Sequence, residues 1–408
     1  MALILPIQSV FAAESSSVSI VLMQNFNISY NDADVAVSGD GKYFALSIYG
    51  STGDSNISLY ETPNSFTGTA KLKWAVTTTS SREVEIDDEG SIIVNMDEGA
   101  KKLAAYSSDA ASEVWSITSS NNMRQFALSD NGEYVVYCVD ETVGHSLHLI
   151  DGSDKSEYWS EPLSVDTRDI AVSNNGKVAI IDTHSDLYYF NTTEMVWANT
   201  TIDSAYQVDI SNDGNRLIVN SKENTQDMVI LFDAEGNILK RHEDRDLSAY
   251  GVSMAKDSKD ILLSTFVNTP EQVALLSGDS MTEKWEVTTD TFCYYSVINR
   301  DGDVAMVSDY DYNVMLFDCA SGTKLMTHNV GTHLASLDLS DDGSIAAIMT
   351  STGSLVIYSV QVSGSGFFDS LLNYFTNSEN LYGILVTAGG AFLIGGLMFG
   401  LIARKRSA

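Results

Sequence analysis

Three cysteines, six histidines and a large surplus of carboxylates are the residues of this 408-residue chain best suited to chemistry. Cys138, Cys293 and Cys319 are not adjacent and form no Cys-x-x-Cys pair, so they build no disulfide framework; they read as small buried hydrophobes. His145, His148, His184, His242, His328 and His333 show no His-x-x-x-His and no carboxylate partner at metal-ligand spacing. The acidic runs DYDYN at 309–313 and EDRD at 243–246 invite a calcium reading. Neither has the Asp-x-Asp-x-Asp-Gly loop with its later Glu, and both read as solvated loops. No Gly-x-Ser-x-Gly elbow or phosphate loop is present. No catalytic, cofactor-binding or metal-binding residue is assigned.

A different chemistry is written in four Asn-x-Ser/Thr sequons, at Asn27, Asn56, Asn191 and Asn199, each a glycan acceptor in an exported domain. The charge balance narrows the partners. With 55 acidic against 23 basic residues the net charge is −32, a field that repels nucleic acid and anionic lipid and attracts cations or basic partners. Halophilic adaptation would deplete lysine, yet 14 of the 23 basic residues are Lys.

The elements that position these residues repeat. A strand, a tight acidic-Gly turn and a second strand recur as VAVSGDGKYFAL, VEIDDEGSIIV, FALSDNGEYVVY, IAVSNNGKVAII, VDISNDGNRLIV, VSMAKDSKDILL, SVINRDGDVAMV and LDLSDDGSIAAI. The turn glycines are 41, 90, 132, 176, 214, 302 and 343, with Ser258 in the sixth slot; 302 residues over seven intervals average about 43. Asp-Gly and Asn-Gly tolerate the positive φ of a hairpin turn, and a period of roughly 40–45 with four strands per unit is propeller spacing. A second marker keeps step. Trp115, Trp159, Trp197 and Trp285 lie 17 residues before the next turn glycine and Trp74 lies 16 before, with Arg241 and Met326 in the slot where Trp is absent. An aromatic at one place in successive blades is expected to dock between neighbouring sheets.

The chain here resembles the quinoprotein-like propeller repeat, whose pattern is Ala-x-Asp-x-x-x-Gly-x-x-x-Trp. LFDCASGTKLM places Asp318, Gly322 and Met326 at its positions, LIDGSDKSEYW supplies Asp151 and Trp159, AYSSDAASEVW supplies Ala105 and Trp115, and LFDAEGNILK keeps Asp233 and Gly236 with a register slip. The resemblance covers about residues 17–361 and implies an all-β propeller. WD-repeat propellers are the near alternative, although their Gly-His and Trp-Asp dipeptides are absent. The resemblance also implies enzymes that hold pyrroloquinoline quinone and Ca²⁺, often beside vicinal cysteines. Those cysteines are missing here, so the dehydrogenase stays the alternative reading and no cofactor is expected. Eight blades are the first choice and seven the second. The eighth unit lacks a fourth strand, and VSIVLM at 18–23 is expected to supply it and close the ring.

Both ends of the chain speak of membranes. Residues 381–403 read LYGILVTAGGAFLIGGLMFGLIA, 23 residues without a charge, followed by Arg404, Lys405 and Arg406. That length spans roughly 30 Å of hydrocarbon, and the basic tail belongs in the cytoplasm. Residues 1–13 are signal-peptide-like but lack a basic start. Between ring and span, 362–380 hold a linker and an amphipathic helix with Phe367, Phe368, Leu371, Leu372 and Phe375 on one face. Ala391, Gly395, Gly396 and Gly400 could let two spans pair as a homodimer. The expectation is a single-pass cell-membrane protein whose external, non-enzymatic propeller binds a protein, glycan or envelope component, or serves as an assembly scaffold for other envelope proteins.

Overall fold

The computed structural model describes residues 10–12, 18–27, 32–50, 55–62, 70–223, 226–243, 249–265 and 272–362. The expected juxtamembrane helix, span and basic tail lie outside the described residues, as does most of the signal-like segment. Among the described residues no helix is long and apolar enough to cross a membrane. The chain divides into two units, Met1–Ala13 with Ser19–Val360, and Glu14–Val18 with Gln361–Ala408. The first is the propeller.

Eight antiparallel sheets follow one another along the chain, seven of four strands and one of five. Blades one to seven cover residues 32–77, 81–118, 123–163, 167–199, 207–243, 249–288 and 293–329. Blade eight takes Leu334–Leu339, Ile345–Thr350 and Ser354–Val362 from the end of the chain, then Val18–Asn27 from its beginning. The count is eight rather than seven, and the N-terminal strand closes the ring. It runs four residues further than its apolar core, through Gln24 to Asn27. Val10–Ala12 adds a fifth strand, with Val10 opposite Val21 and Ala12 opposite Ser19. The compact residues of the signal-like segment thus form an edge strand here.

Burial grades outward along each blade. Second strands such as Val178–Asp182, Val304–Asp309 and Ile345–Thr350 are buried at every residue, because a neighbouring sheet covers each face. Outer strands expose most positions; in Lys71–Thr77 only Trp74 is buried. The core therefore lies between blades. At the seam, Val35, Val37, Phe44 and Leu46 of blade one pack on Ile345, Ala347, Met349 and Ile357 of blade eight.

Turn chemistry fixes the hairpins. The seven slot glycines adopt φ of +63° to +74°, and Ser258 adopts +62° in the same place. Each donates its N–H to the carbonyl three residues earlier, at 2.7–3.0 Å. The serine three before Gly stabilises the bend: Ser38, Ser129, Ser211 and Ser340 accept from the N–H of Tyr43, Tyr134, Arg216 and Ile345 at 2.9–3.1 Å. Asp87 and Asn299 substitute with 2.8 Å bonds to Ile92 and Val304, whereas blade six has Ala255 in this position.

Candidate functional site

Eight inner strands surround an axial cavity of about 450 Å³, lined by carboxylates from six blades. The inner strand is the edge of its sheet, so its outward N–H groups need acceptors. Acidic side chains supply them from the preceding blade. Asp34 Oδ2 accepts from Val84 at 3.1 Å, Asp169 Oδ2 from Val208 at 2.7 Å, Asp209 Oδ2 from Met254 at 2.9 Å and Asp338 Oδ2 from Val37 at 2.7 Å. Glu85 accepts from Leu128 in the same way, and Gln207 from Val252 at 3.0 Å. The axial acidity thus clamps five of the eight blade-to-blade joints among the described residues. Burial pushes Glu85 up to about 8 and both Asp169 and Asp338 up to about 7.

One end of the cavity is closed by an ionic plug. Two residues before each turn residue stand Gly39, Asp88, Asp130, Asn174, Asn212, Lys256, Arg300 and Asp341, one from each blade. Arg300 of blade seven reaches across the axis to Asp88 of blade two and Asp130 of blade three, the latter at 3.2 Å, and to Asp341 of blade eight at 2.9 Å. Lys256 lies 3.6 Å from Asp209 and 3.9 Å from Asp130. With its amide turned so that nitrogen faces acceptor and oxygen faces donor, Asn212 donates to Asp130 Oδ2 at 2.7 Å and accepts from Arg300 Nε at 3.3 Å. Burial and the Asp88 carboxyl beside it raise the Asp341 pKa. Gly39 makes room: a Cβ there would stand 2.2 Å from Asp341 Oδ2 and 2.8 Å from Asp88 Oδ1. Main-chain bonds run alongside, from Asp341 to Gly39, Asp40 to Asp88, Asp88 to Asp130, Asn174 to Asn212 and Asn212 to Lys256, at 2.7–3.0 Å.

The tryptophan slot sits in mid-strand on the outer edge of each blade. Trp115, Trp159, Trp197 and Trp285 donate Nε1–H to Gly152, Asn191, Ala234 and Cys319 carbonyls at 2.6–2.9 Å. Each acceptor lies in the third-to-fourth-strand turn of the following blade. Trp74 is buried with its N–H lacking an acceptor among the described residues. Of the sequons, Asn191 and Asn199 use Oδ1 to accept from Thr193 and Thr201 N–H at 2.7 and 2.9 Å, which leaves the amide nitrogen outside both turns. Asn56 opens the third strand of blade one and Asn27 ends the clasp strand. Ala391, Gly395, Gly396 and Gly400 lie outside the described residues. Cys138, Cys293 and Cys319 are buried thiols, none of them joined in a disulfide among the described residues. Asp309 of the DYDYN run caps its own turn through Asn313, at 2.8 Å.

Two groupings escape a sequence reading. Opposite the plug, where inner strands begin, Phe292, Tyr294, Tyr310, Tyr312 and His333 make a chain of ring contacts with centroids 4.7–6.2 Å apart. Tyr295 and Tyr310 are 46% and 45% exposed, and Asp290 and Asp311 stand exposed beside them. At the same end, Cys138, His145 and Asp166 bring one donor atom each within 4.8 Å of the others. These groups come from separate strands and links, so no spacing announces them.

The architecture defines an eight-bladed β-propeller whose ring is closed by the N-terminal strand. No protein-family model matches the sequence, and no curated protein matches it. Among solved structures, the chain is similar in fold to the C-terminal WD40 domain of Sif2, at TM-score 0.67 and 11% identity over 83% of this chain and 98% of that one. It is likewise similar to Chaetomium thermophilum Sqt1 bound to the N-terminus of ribosomal protein L10, at 0.64 and 12% over 83% and 99%. BamB from Moraxella catarrhalis gives 0.57 and 15% over 83% and 97%. At these identities the likeness is one of fold.

Proposed function

We propose that this chain is a non-enzymatic propeller scaffold that binds a basic, extended segment of a partner protein, held at the outer face of a cell membrane by its C-terminal apolar span. The observation that carries the reading is the aromatic and acidic face around Tyr295 and Tyr310, in a chain of net charge −32. Exposed tyrosine rings offer cation–π seats for Lys and Arg, and the surrounding carboxylates draw a basic chain toward them. The axial carboxylates are already engaged with main-chain N–H groups, so recognition falls to the loops. The Sqt1 complex with the N-terminus of ribosomal protein L10 shows that such a fold takes a protein segment.

Fluorescence anisotropy of the full chain in detergent, with a Lys/Arg-rich peptide against an acidic peptide, tests the binding. The basic peptide should bind, weaken with added salt, and lose affinity in Tyr295→Ser and Tyr310→Ser. Equal binding of both peptides, or variants that bind like wild type, overturns the reading. Topology is tested separately: protease applied to intact cells should remove the propeller and spare the Arg404–Lys405–Arg406 tail, whereas survival of the full-length chain refutes the outer location.

A further inference from the structure

We propose that Cys138, His145 and Asp166 form a binding site for one thiophilic divalent cation of the zinc type, bridging blades three and four. The three residues come from separate segments: the second strand of blade three (Tyr134–Asp140), the start of its third strand (His145–Asp151), and the link just before the inner strand Thr167–Val172 of blade four. A Cys sulfur, a His ring nitrogen and a carboxylate oxygen lie within 4.8 Å of one another. Donors around a tetrahedral zinc, at roughly 2.0–2.3 Å from the metal, stand roughly 3–4 Å apart, so a shift of about 1 Å closes the site.

The side chains around it leave this position open. Cys138 is fully buried, and the hydroxyl and N–H of Thr167, 6% exposed, lie against its sulfur. His145 Nδ1 is shielded from solvent and stands 3.1 Å from Asp140 Oδ1 without making a hydrogen bond to it. The same nitrogen is 3.7 Å from Asp166 Oδ1. Arg124 occupies the other side of both carboxylates, with Nε 2.8 Å from Asp140 Oδ1 and 3.8 Å from Asp166 Oδ2. Asp140 is therefore held by Arg124 and Asn122, whereas Asp166 Oδ1 accepts the Thr167 N–H, at 2.9 Å, and keeps its second lone pair on the side of the imidazole. A carboxylate with one oxygen on a metal and the other beside an arginine is an ordinary outer-shell arrangement.

Charge and donor type choose the ion. A thiolate and a carboxylate balance a divalent cation, while Asp140 and Arg124 balance each other. Binding releases the thiol proton of Cys138 to solvent, so affinity rises with pH. Sulfur and imidazole donors favour Zn²⁺ and its neighbours over Ca²⁺ and Mg²⁺. Three protein donors leave a fourth position for water.

The test is a Co²⁺ titration of the full chain in detergent, chelator-treated and reduced, read by absorption. Thiolate-to-cobalt bands in the near ultraviolet and visible d–d bands should saturate at one equivalent, bleach on adding Zn²⁺, and vanish in Cys138→Ser. Cobalt on surface carboxylates gives no thiolate band, so the acidic surface does not imitate this result. Absence of the band in wild type, or its persistence in Cys138→Ser, overturns the site. If Cys138→Ser fails to melt like chelated wild type, Asp166→Asn decides: a tenfold or greater loss of Co²⁺ affinity supports the site and an unchanged affinity refutes it.

Discussion

Ser258 stands where seven other turns place glycine, at φ +62°, and Ala255 three residues before it lacks the hydroxyl that other turns use. A left-handed non-Gly residue costs about 1–2 kcal/mol, part of which glycine returns through its freer unfolded chain. Ser258→Gly should therefore raise stability by about 1 kcal/mol, seen as a higher denaturant midpoint at unchanged slope. The tryptophans give a paired prediction. Trp115→Phe strips the Gly152 carbonyl of its donor and should cost about 2 kcal/mol beyond the lost packing. Trp74→Phe removes an indole N–H that lacks an acceptor among the described residues, so it should cost clearly less. Equal losses in parallel denaturation curves would refute the docking role of the indole hydrogen bond.

Blades are joined face to face by their cores and edge to edge by hydrogen bonds around the axis, and the two kinds of joint differ in how visible they are in sequence. The hairpin glycines and the tryptophan slot recur at nearly constant offsets, because every blade solves the same turn and the same packing problem, and that regularity exposes the missing fourth strand of the eighth unit. Deleting 18–27 should strip blade eight of its fourth strand and lower the melting temperature by several degrees, since several ladder bonds at about 1 kcal/mol each are lost. An unchanged melting temperature would refute the clasp. The inner joints hide from the same reading. Asp34 and Asp169 stand seven residues before the turn glycine, while Glu85, Asp209 and Asp338 stand five before it, so the caps keep no single offset. The plug is less legible still, since Arg300 meets carboxylates 170 and 212 positions away. Only the absence of a side chain at Gly39, where other blades carry polar residues, hints at the crowding. The metal-donor cluster gathers two strands and a link, which no linear motif records.

At the scale of the whole molecule, eight blades share one electrostatic centre, and its balance governs stability. Arg300→Met would leave Asp88, Asp130 and Asp341 facing each other, a loss of about 3–5 kcal/mol of the kind seen when one partner of a buried pair is removed. Denaturant unfolding should show it at neutral pH, with partial recovery on acidification as Asp88 and Asp341, both raised by burial, take up protons. The wild-type axis titrates in the same sense. Glu85 at about 8, with Asp169 and Asp338 at about 7, lie well above the ordinary carboxyl range near 4, each raised by burial. Between pH 4 and 8 the folded chain holds protons that the unfolded chain has released, so stability falls as pH rises through that window. Opposing contributions bound the effect, among them Asp40, Glu113, Asp151 and Asp213, whose carboxyls are held below the usual range by hydrogen bonds. Asp140, held down by Arg124, adds stability that is lost only as pH falls below about 4. His328, lowered by burial, disfavours the fold below about 6.5, but it is one imidazole against three carboxyls. The melting temperature should therefore climb as pH is lowered from 8 to 5 at fixed ionic strength. Asp338→Asn and Glu85→Gln keep an oxygen acceptor for Val37 and Leu128 while removing the titration, so they should flatten that slope. Calorimetry across the range decides it: a flat or falling profile toward acid, or variants with the wild-type slope, would mean the axial carboxyls are ionised in the folded ring.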